Sequence, residues 1–320
     1  MWHEKASGNA NVVYSNGSGS VLRVAKSDTV DTSFQLDYSK LISQLISNKS
    51  VFESAVLVDM STVTLEHKLF DTPRNKFGIM MDNVTTALSI ELKPKSAVLD
   101  LINSINPCLY CLYANKQQEL SEYCPFKLFN EDTITQGLKE LVLNKKKHLM
   151  VHVEGNHPKR FEDAIQLGLV DFEYLENIKL ALLDSKVLQS IKRAQQQFIH
   201  DIKDIYPLFL NLKSRANPSI DDIKTIVNLK KNDLNDKQKV ISYLISKTLR
   251  DLSLLITFQN SNFERDNAIK GKLKNGLFYT IDVIDLDFKA IKNISKYYQD
   301  AVDAYECSKN LSGRYCQLKR

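Results

Sequence analysis

The feature that most constrains this chain is a change of hydrophobic period at Pro94. Ahead of it, apolar residues favour alternate positions. Val12-Val13-Tyr14 and Val21-Leu22-Arg23-Val24 flank Asn16-Gly17-Ser18-Gly19, the pattern of two strands joined by a glycine-containing turn. Leu41, Ile42, Leu45 and Ile46 predict one amphipathic helix over Tyr38–Phe52. Further strands are expected near Ala55–Val58, Phe77–Met81 and Ala87–Leu92. Pro94 closes the last, because it lacks an amide proton and restricts the residue before it.

Beyond the proline the helical period governs. Helices are predicted over Ala97–Ile105, Thr135–Leu143, Ser185–Ile205 and Lys237–Leu249, with a short strand at Leu149–Val153 and another over Leu277–Val283. The segment from Tyr206 to Asn235, with Pro207 and Pro218, reads as surface helix and loop. The expected fold is α+β and two-lobed. A small β-rich N-lobe covers residues 1–95, and a larger, mainly helical C-lobe with a short central sheet covers 96–320.

Composition narrows the function classes. With 43% hydrophobic and 25% charged residues, the 320-residue chain is that of a folded globule and not of a disordered one. No run approaches the roughly 18 apolar residues of a membrane span. The start, Met1-Trp2-His3-Glu4-Lys5, has no apolar signal region, so neither secretion by signal peptide nor a membrane partner is expected. Cysteines at 108, 111, 124, 307 and 316 are odd in number and irregularly spaced, which points to a reducing compartment. The formal charge of +5 suits nucleic acid, an anionic membrane surface or a phosphorylated small molecule equally.

Four constellations carry possible chemistry. Ser7-Gly8-Asn9-Ala10-Asn11, with Arg23 and Lys26 on the paired strand, is either a solvated hairpin or a phosphate cradle. It is not a Walker A loop. In Glu91-Leu92-Lys93-Pro94-Lys95, the strand period puts Glu91 and Lys93 on one face with Lys95 just beyond. This is a charged strand end or a site for phosphates. Asp251, in Lys247-Thr248-Leu249-Arg250-Asp251, stands where a helix gives way to a buried strand, the place of a capping acid or of a base at a cleft mouth. In Ile284-Asp285-Leu286-Asp287-Phe288-Lys289 the two acids are expected to share a strand face and to suit Mg²⁺. A following helix then places Lys289, Asn293 and Tyr297 in one stripe, with Lys292 and Lys296 beside it. The order of lobe, lysine, acid and acidic pair is that of protein kinases, without their glycine loop, H-R-D or D-F-G letters.

These motifs, in this order from residue 8 to residue 297, resemble the inositol-pentakisphosphate 2-kinases, of fungal type. Softer matches are Tyr123-Cys124-Pro125-Phe126-Lys127-Leu128-Phe129 and Leu183-Asp184-Ser185-Lys186-Val187-Leu188. The resemblance implies ATP-dependent phosphorylation of the 2-hydroxyl of inositol 1,3,4,5,6-pentakisphosphate, giving the hexakisphosphate. Five phosphates at about −1.5 to −2 each give a substrate of roughly −8 to −10, which demands a cationic cleft.

Carried over residue by residue, the resemblance implies that Gly8, Asn9 and Arg23 hold ATP phosphates. It puts Glu91 at the nucleotide pocket, with Asp82 and Asn83 touching base or ribose. Lys93 would bridge to the transferring phosphoryl group and Asp251 would be the catalytic base. Asp285, supported by Asp287, would bind Mg²⁺, and Lys95, Lys289 and Tyr297 would grip the inositol phosphates. Asn293 stands where an arginine is expected, with Lys292 as substitute. Lys147 falls, with His148, where the family has adjacent asparagines, and Lys116 matches another phosphate-binding lysine.

ATP and Mg²⁺ are thus the implied cofactors, and a monomer in nucleus and cytoplasm is the expectation. Structural zinc is not expected, since Cys108, Cys111 and Cys124 have no histidine near them in sequence. The competing class is a non-catalytic inositol-phosphate or nucleic-acid binding module. Against nucleic acid, the runs Lys145-Lys146-Lys147 and Lys230-Lys231 have no adjacent aromatics.

Overall fold

The hairpin expected at the start forms, and a third strand joins it. The computed structural model describes residues 1–7, 11–17, 19–27, 31–65, 76–84, 88–98, 108–116, 123–144, 146–154 and 156–309. Strands β1 (His3–Ser7), β2 (Asn11–Ser15) and β3 (Ser20–Ala25) run antiparallel, with Val13 opposite Arg23. Gly17 (φ 75°) and Gly19 (φ 84°) take the left-handed conformation that turns β2 into β3. Helix α1 (Thr32–Gln44) begins six residues ahead of the expected Tyr38 because Asp31 caps it, accepting from the Phe34 amide. β4 (Val56–Asp59) and β5 (Phe77–Asp82) complete a five-stranded sheet in the order β1-β2-β3-β5-β4.

The next strand, β6 (Leu88–Leu92), ends at the proline as expected but stands in a second sheet. The chain therefore changes sheet between Asp82 and Leu88, ahead of the boundary expected at residue 95. Ile90 and Leu92 are fully buried, so β6 is a central strand of the larger core.

Helices α2 (Leu109–Lys116) and α3 (Ile134–Val142) follow, then β7 (Leu149–Val153), β8 (Lys159–Arg160) and α4 (Phe161–Gln166). The helix expected over Ala97–Ile105 falls largely outside the described residues. The long helix expected over Ser185–Ile205 is instead divided. α5 (Glu173–Ser185) turns at Lys186 (φ 55°) into α6 (Val187–Gln197), and α7 (Ile202–Leu210) starts afresh where Asp201 caps the Lys203 amide.

α8 (Ile220–Asn228) and α9 (Asp236–Leu249) both open with capping boxes, Ser219/Asp222 and Asn235/Gln238. β9 (Ser253–Gln259), β10 (Ile269–Lys272) and β11 (Phe278–Ile284) finish the second sheet, in the order β10-β11-β9-β6-β7-β8, and α10 (Ile294–Lys309) follows.

The fold is α+β and two-lobed. The first sheet has a small core, Val12, Tyr14, Leu22, Val24 and Met60. The second packs one face into a continuous cluster reaching from Tyr38 through α3, α5, α6 and α9 to Ile294. Among the described residues no helix is long and apolar enough to cross a membrane.

Candidate active site

The ends of β6, α9 and β11 meet beside the first sheet and bring the lysines and acids together. Lys93 extends β6 by one hydrogen bond, its amide donating to the His148 carbonyl at 2.8 Å. Its ammonium donates to Asp285 Oδ2 at 2.8 Å and lies 3.4 Å from Glu91 Oε1. Burial opposes the Lys93 charge, but Asp285 and Glu91 raise its pKa above the ordinary lysine value. Ser253 Oγ, fully buried, lies 2.8 Å from both Glu91 Oε1 and Asp285 Oδ2. His152 Nε2 is 2.9 Å from Glu91 Oε2. Burial works against the Glu91 carboxylate, yet His152, Lys93 and Ser253 hold its pKa down to about 2.

Asp251 lies between the C-cap of α9 and the start of β9, as expected. Lys95 donates to its Oδ1 at 2.9 Å and Lys289 to its Oδ2 at 2.8 Å. Its burial favours the protonated form, but these two ammoniums hold the carboxyl well below the usual range. Tyr297 of α10 is half-buried beside Lys289, and burial pushes its phenol up.

Asp285 and Asp287 do not share a strand face. β11 ends at Ile284, Asp285 takes a left-handed backbone (φ 60°), and the acids diverge to different cations. Asp287 receives the Arg23 guanidinium at 2.6 Å on Oδ1, and Asn11 Nδ2 lies 3.3 Å from Oδ2. The loop holding both acids is tied from below. Gln35 Nε2 donates to the Leu286 carbonyl at 3.1 Å and the Phe288 amide donates to Gln35 Oε1 at 3.1 Å. Thr248 Oγ1 donates to the Asp287 carbonyl at 2.9 Å.

Lys95 is held in the same way. It too has a left-handed backbone (φ 61°), which for a lysine is strained. The fully buried Gln195 amide spans the gap. Its Nε2 donates to the Lys95 and Leu249 carbonyls, both at 2.9 Å, and its Oε1 accepts from the Ala97 amide at 2.7 Å. One side chain thus fixes the segment bearing Lys95 against the end of the helix that presents Asp251. Gln195, Gln35 and Ser253 are the residues that motif spacing does not reveal.

A cavity of about 650 Å³ opens between the two sheets beside this cluster, within the range of small-molecule sites. Arg23, Met81, Asp82, Asn83, Leu255 and Asp285 help line it. Asp82 accepts from Ser54 (2.9 Å) and Asn267 (2.8 Å), and Asn83 from Lys5 (2.7 Å). Glu91 does not line the cavity. It stands behind the wall, bracing Lys93, His152 and Ser253.

The remaining expectations fare differently. Lys289 precedes the 3-10 turn Ile291–Asn293 and is not on the helix with Tyr297, so the expected single stripe is broken. Lys292 and Lys147 are exposed, and no contact among the described residues joins either to the cluster. Lys116 falls in α2, with its side chain outside the described residues, as are Gly8 and Asn9.

Chemically, the cluster holds hard carboxylate oxygens beside cations that can trade partners. Asp285 and Asp287 fit the one or two carboxylates by which Mg²⁺ is commonly held when phosphates complete its shell. The cavity next to them is flanked by Arg23.

The family model for inositol-pentakisphosphate 2-kinase matches residues 5–303. The chain belongs to this family. An inositol-pentakisphosphate 2-kinase of Arabidopsis thaliana is 24% identical over 289 residues, covering 75% of this chain and 62% of the relative. The 2-kinases of Oryza sativa subspecies indica and japonica are each 24% identical over 211 residues, covering 56% of this chain and 47% of theirs. The chain thus spans about half to three fifths of the length of these members of the inositol-pentakisphosphate 2-kinase family.

Proposed function

We propose that the chain transfers the γ-phosphoryl group of ATP to the 2-hydroxyl of inositol 1,3,4,5,6-pentakisphosphate. The observation that carries this is the convergence of Lys93, Lys95 and Lys289 with Asp251 and Asp285 beside the intersheet cavity, together with family membership. In this reading the nucleotide occupies the cavity with Arg23 at its phosphates and Asp82 and Asn83 near base or ribose. Lys93 faces the phosphoryl group in transfer, where its ammonium offsets the charge that develops there. Asp285 and Asp287 would hold Mg²⁺, which when bound neutralises phosphate charge.

The inositol phosphates take the ammoniums of Lys95 and Lys289, with Tyr297 beside them. This exchange has a consequence for Asp251. With both lysines on it the carboxylate is a poor base. Once substrate phosphates draw them away, its proton affinity rises at the moment a hydroxyl is present to orient or deprotonate. Arg23 and Lys93 make the same trade, leaving Asp287 and Asp285 for the metal.

Incubation with labelled ATP, Mg²⁺ and inositol 1,3,4,5,6-pentakisphosphate, with the product isomer resolved, should yield the hexakisphosphate. Tight pentakisphosphate binding without transfer would contradict the proposal and favour a binding module.

A further inference from the structure

Away from the acid and lysine cluster, three cysteine sulfurs meet. Cys108 immediately precedes α2, Cys111 lies in its first turn, and Cys124 arrives just ahead of the 3-10 turn Pro125–Phe129. The Sγ atoms of Cys108 and Cys111 are 3.3 Å apart, those of Cys108 and Cys124 are 3.7 Å apart, and all three lie within 4.8 Å of one another. Cys108 and Cys124 are buried, Cys111 is half-buried, and all three are reduced.

Neutral thiols gain little from such convergence, since S–H is a weak donor and sulfur a weak acceptor. A metal gains much. With zinc–sulfur bonds of about 2.3 Å, the sulfur–sulfur edges of a tetrahedral site come to about 3.8 Å, close to the spacing here. Thiolates select zinc over the hard cations that suit carboxylates. The surroundings also fit. Tyr110 and Tyr123, the chain neighbours of Cys111 and Cys124, meet edge to face with ring centroids 5.5 Å apart, and the burial of Cys108 and Cys124 keeps water from two of the three sulfurs. Sequence spacing argued against zinc for want of a neighbouring histidine. The fold supplies a third sulfur by bringing Cys124 back onto the start of α2.

We propose that Cys108, Cys111 and Cys124 bind one Zn²⁺ through three thiolates, with water or an added thiol in the fourth position. The ion would tie α2 to the segment entering the Pro125 turn. Since α2 packs against α10, the helix carrying Tyr297, it would brace that helix from outside the site. The proposal does not depend on the phosphotransfer reading.

The test uses the full chain purified with a non-thiol reductant. Elemental analysis should find about one zinc per chain, and X-ray absorption should find three sulfurs at about 2.3 Å. Cobalt exchange should give an intense thiolate-to-cobalt band. Cys111→Ser and Cys124→Ala should each abolish the metal and the band, while Cys316→Ala should keep both. If Cys124→Ala fails to fold, the half-buried Cys111→Ser gives the same readout, and a chelator should lower the melting temperature of the unmodified chain. A reduced chain that takes up neither zinc nor cobalt at micromolar concentration overturns the proposal. So does a Cys108–Cys111 disulfide in freshly alkylated, metal-free protein, or a cobalt band that survives Cys111→Ser.

Discussion

The two sheets contribute unequally to the site. The first sends two described cations, Arg23 to Asp287 and Lys5 to the cavity wall, from strands whose core is a handful of side chains. The second supplies Lys93, Lys95, Asp251, Asp285, Asp287 and Lys289 from strand and helix ends rooted in the large cluster. The second also carries the backbone strain: Lys95 and Asp285 both have positive φ. Such conformations cost about 1–3 kcal/mol each and persist only where surrounding structure dictates them. Here Gln195, Gln35, Ser39 and Thr248 do so through hydrogen bonds to the adjacent backbone. The lesson is that the groups needing a fixed mutual geometry sit on the lobe with packing to spare, and the thin sheet covers them.

That contrast is sharpened first at Asp251. Asp251→Asn should lower kcat by about 10²- to 10⁴-fold, while pentakisphosphate binding holds or tightens because Lys95 and Lys289 are released. Steady-state kinetics with calorimetry separate the two effects. Lys93→Met should follow, with about 10²- to 10³-fold lost from kcat. A loss confined to the KM for ATP would move Lys93 from the transfer step to ground-state binding.

Gln195→Leu keeps the volume but leaves the Lys95 and Leu249 carbonyls and the Ala97 amide without their partner. Each such orphan costs about 1–3 kcal/mol. The variant should lose stability in urea and show a raised KM for the pentakisphosphate. Loss of stability with an unchanged KM would reduce Gln195 to a core residue. Charge reversal at Lys289 should raise that KM about 10- to 100-fold, more at low salt than at high.

The last prediction concerns acid stability and not activity. Both ring nitrogens of His148 are buried with no hydrogen-bond partner among the described residues, and burial, with Lys95 and Lys146 nearby, holds its pKa down to about 3 from an ordinary 6.5. The unfolded chain takes up a proton below pH 6.5 that the native state refuses. The stability His148 contributes is therefore whole above pH 6.5 and declines toward pH 3. His148→Gln should flatten this slope in urea titrations, and an unchanged slope would assign the acid sensitivity to other groups.

Much of this was legible in the sequence because the period change at Pro94 and the charged motifs are local signals. What was not legible depends on partners. β1, His-Glu-Lys-Ala-Ser, shows no apolar alternation and becomes a strand only by pairing with β2. The break between α6 and α7 rests on one capping aspartate inside an otherwise helical pattern. Spacing alone cannot tell a helix from the turn before it, which is why Lys289 reads as part of a helix stripe. Gln195 had no signature at all, as an amide that joins two distant backbones has no preferred spacing.

The central claim is that the unliganded charge pairs are exchanged when substrate binds, freeing Asp251. Calorimetry of inositol pentakisphosphate binding to the unmodified chain and to Asp251→Asn, with turnover of each, tests it most directly. Binding at least as tight in the variant, with turnover reduced by orders of magnitude, is the expected result. Binding and turnover lost together, or turnover retained, would contradict it.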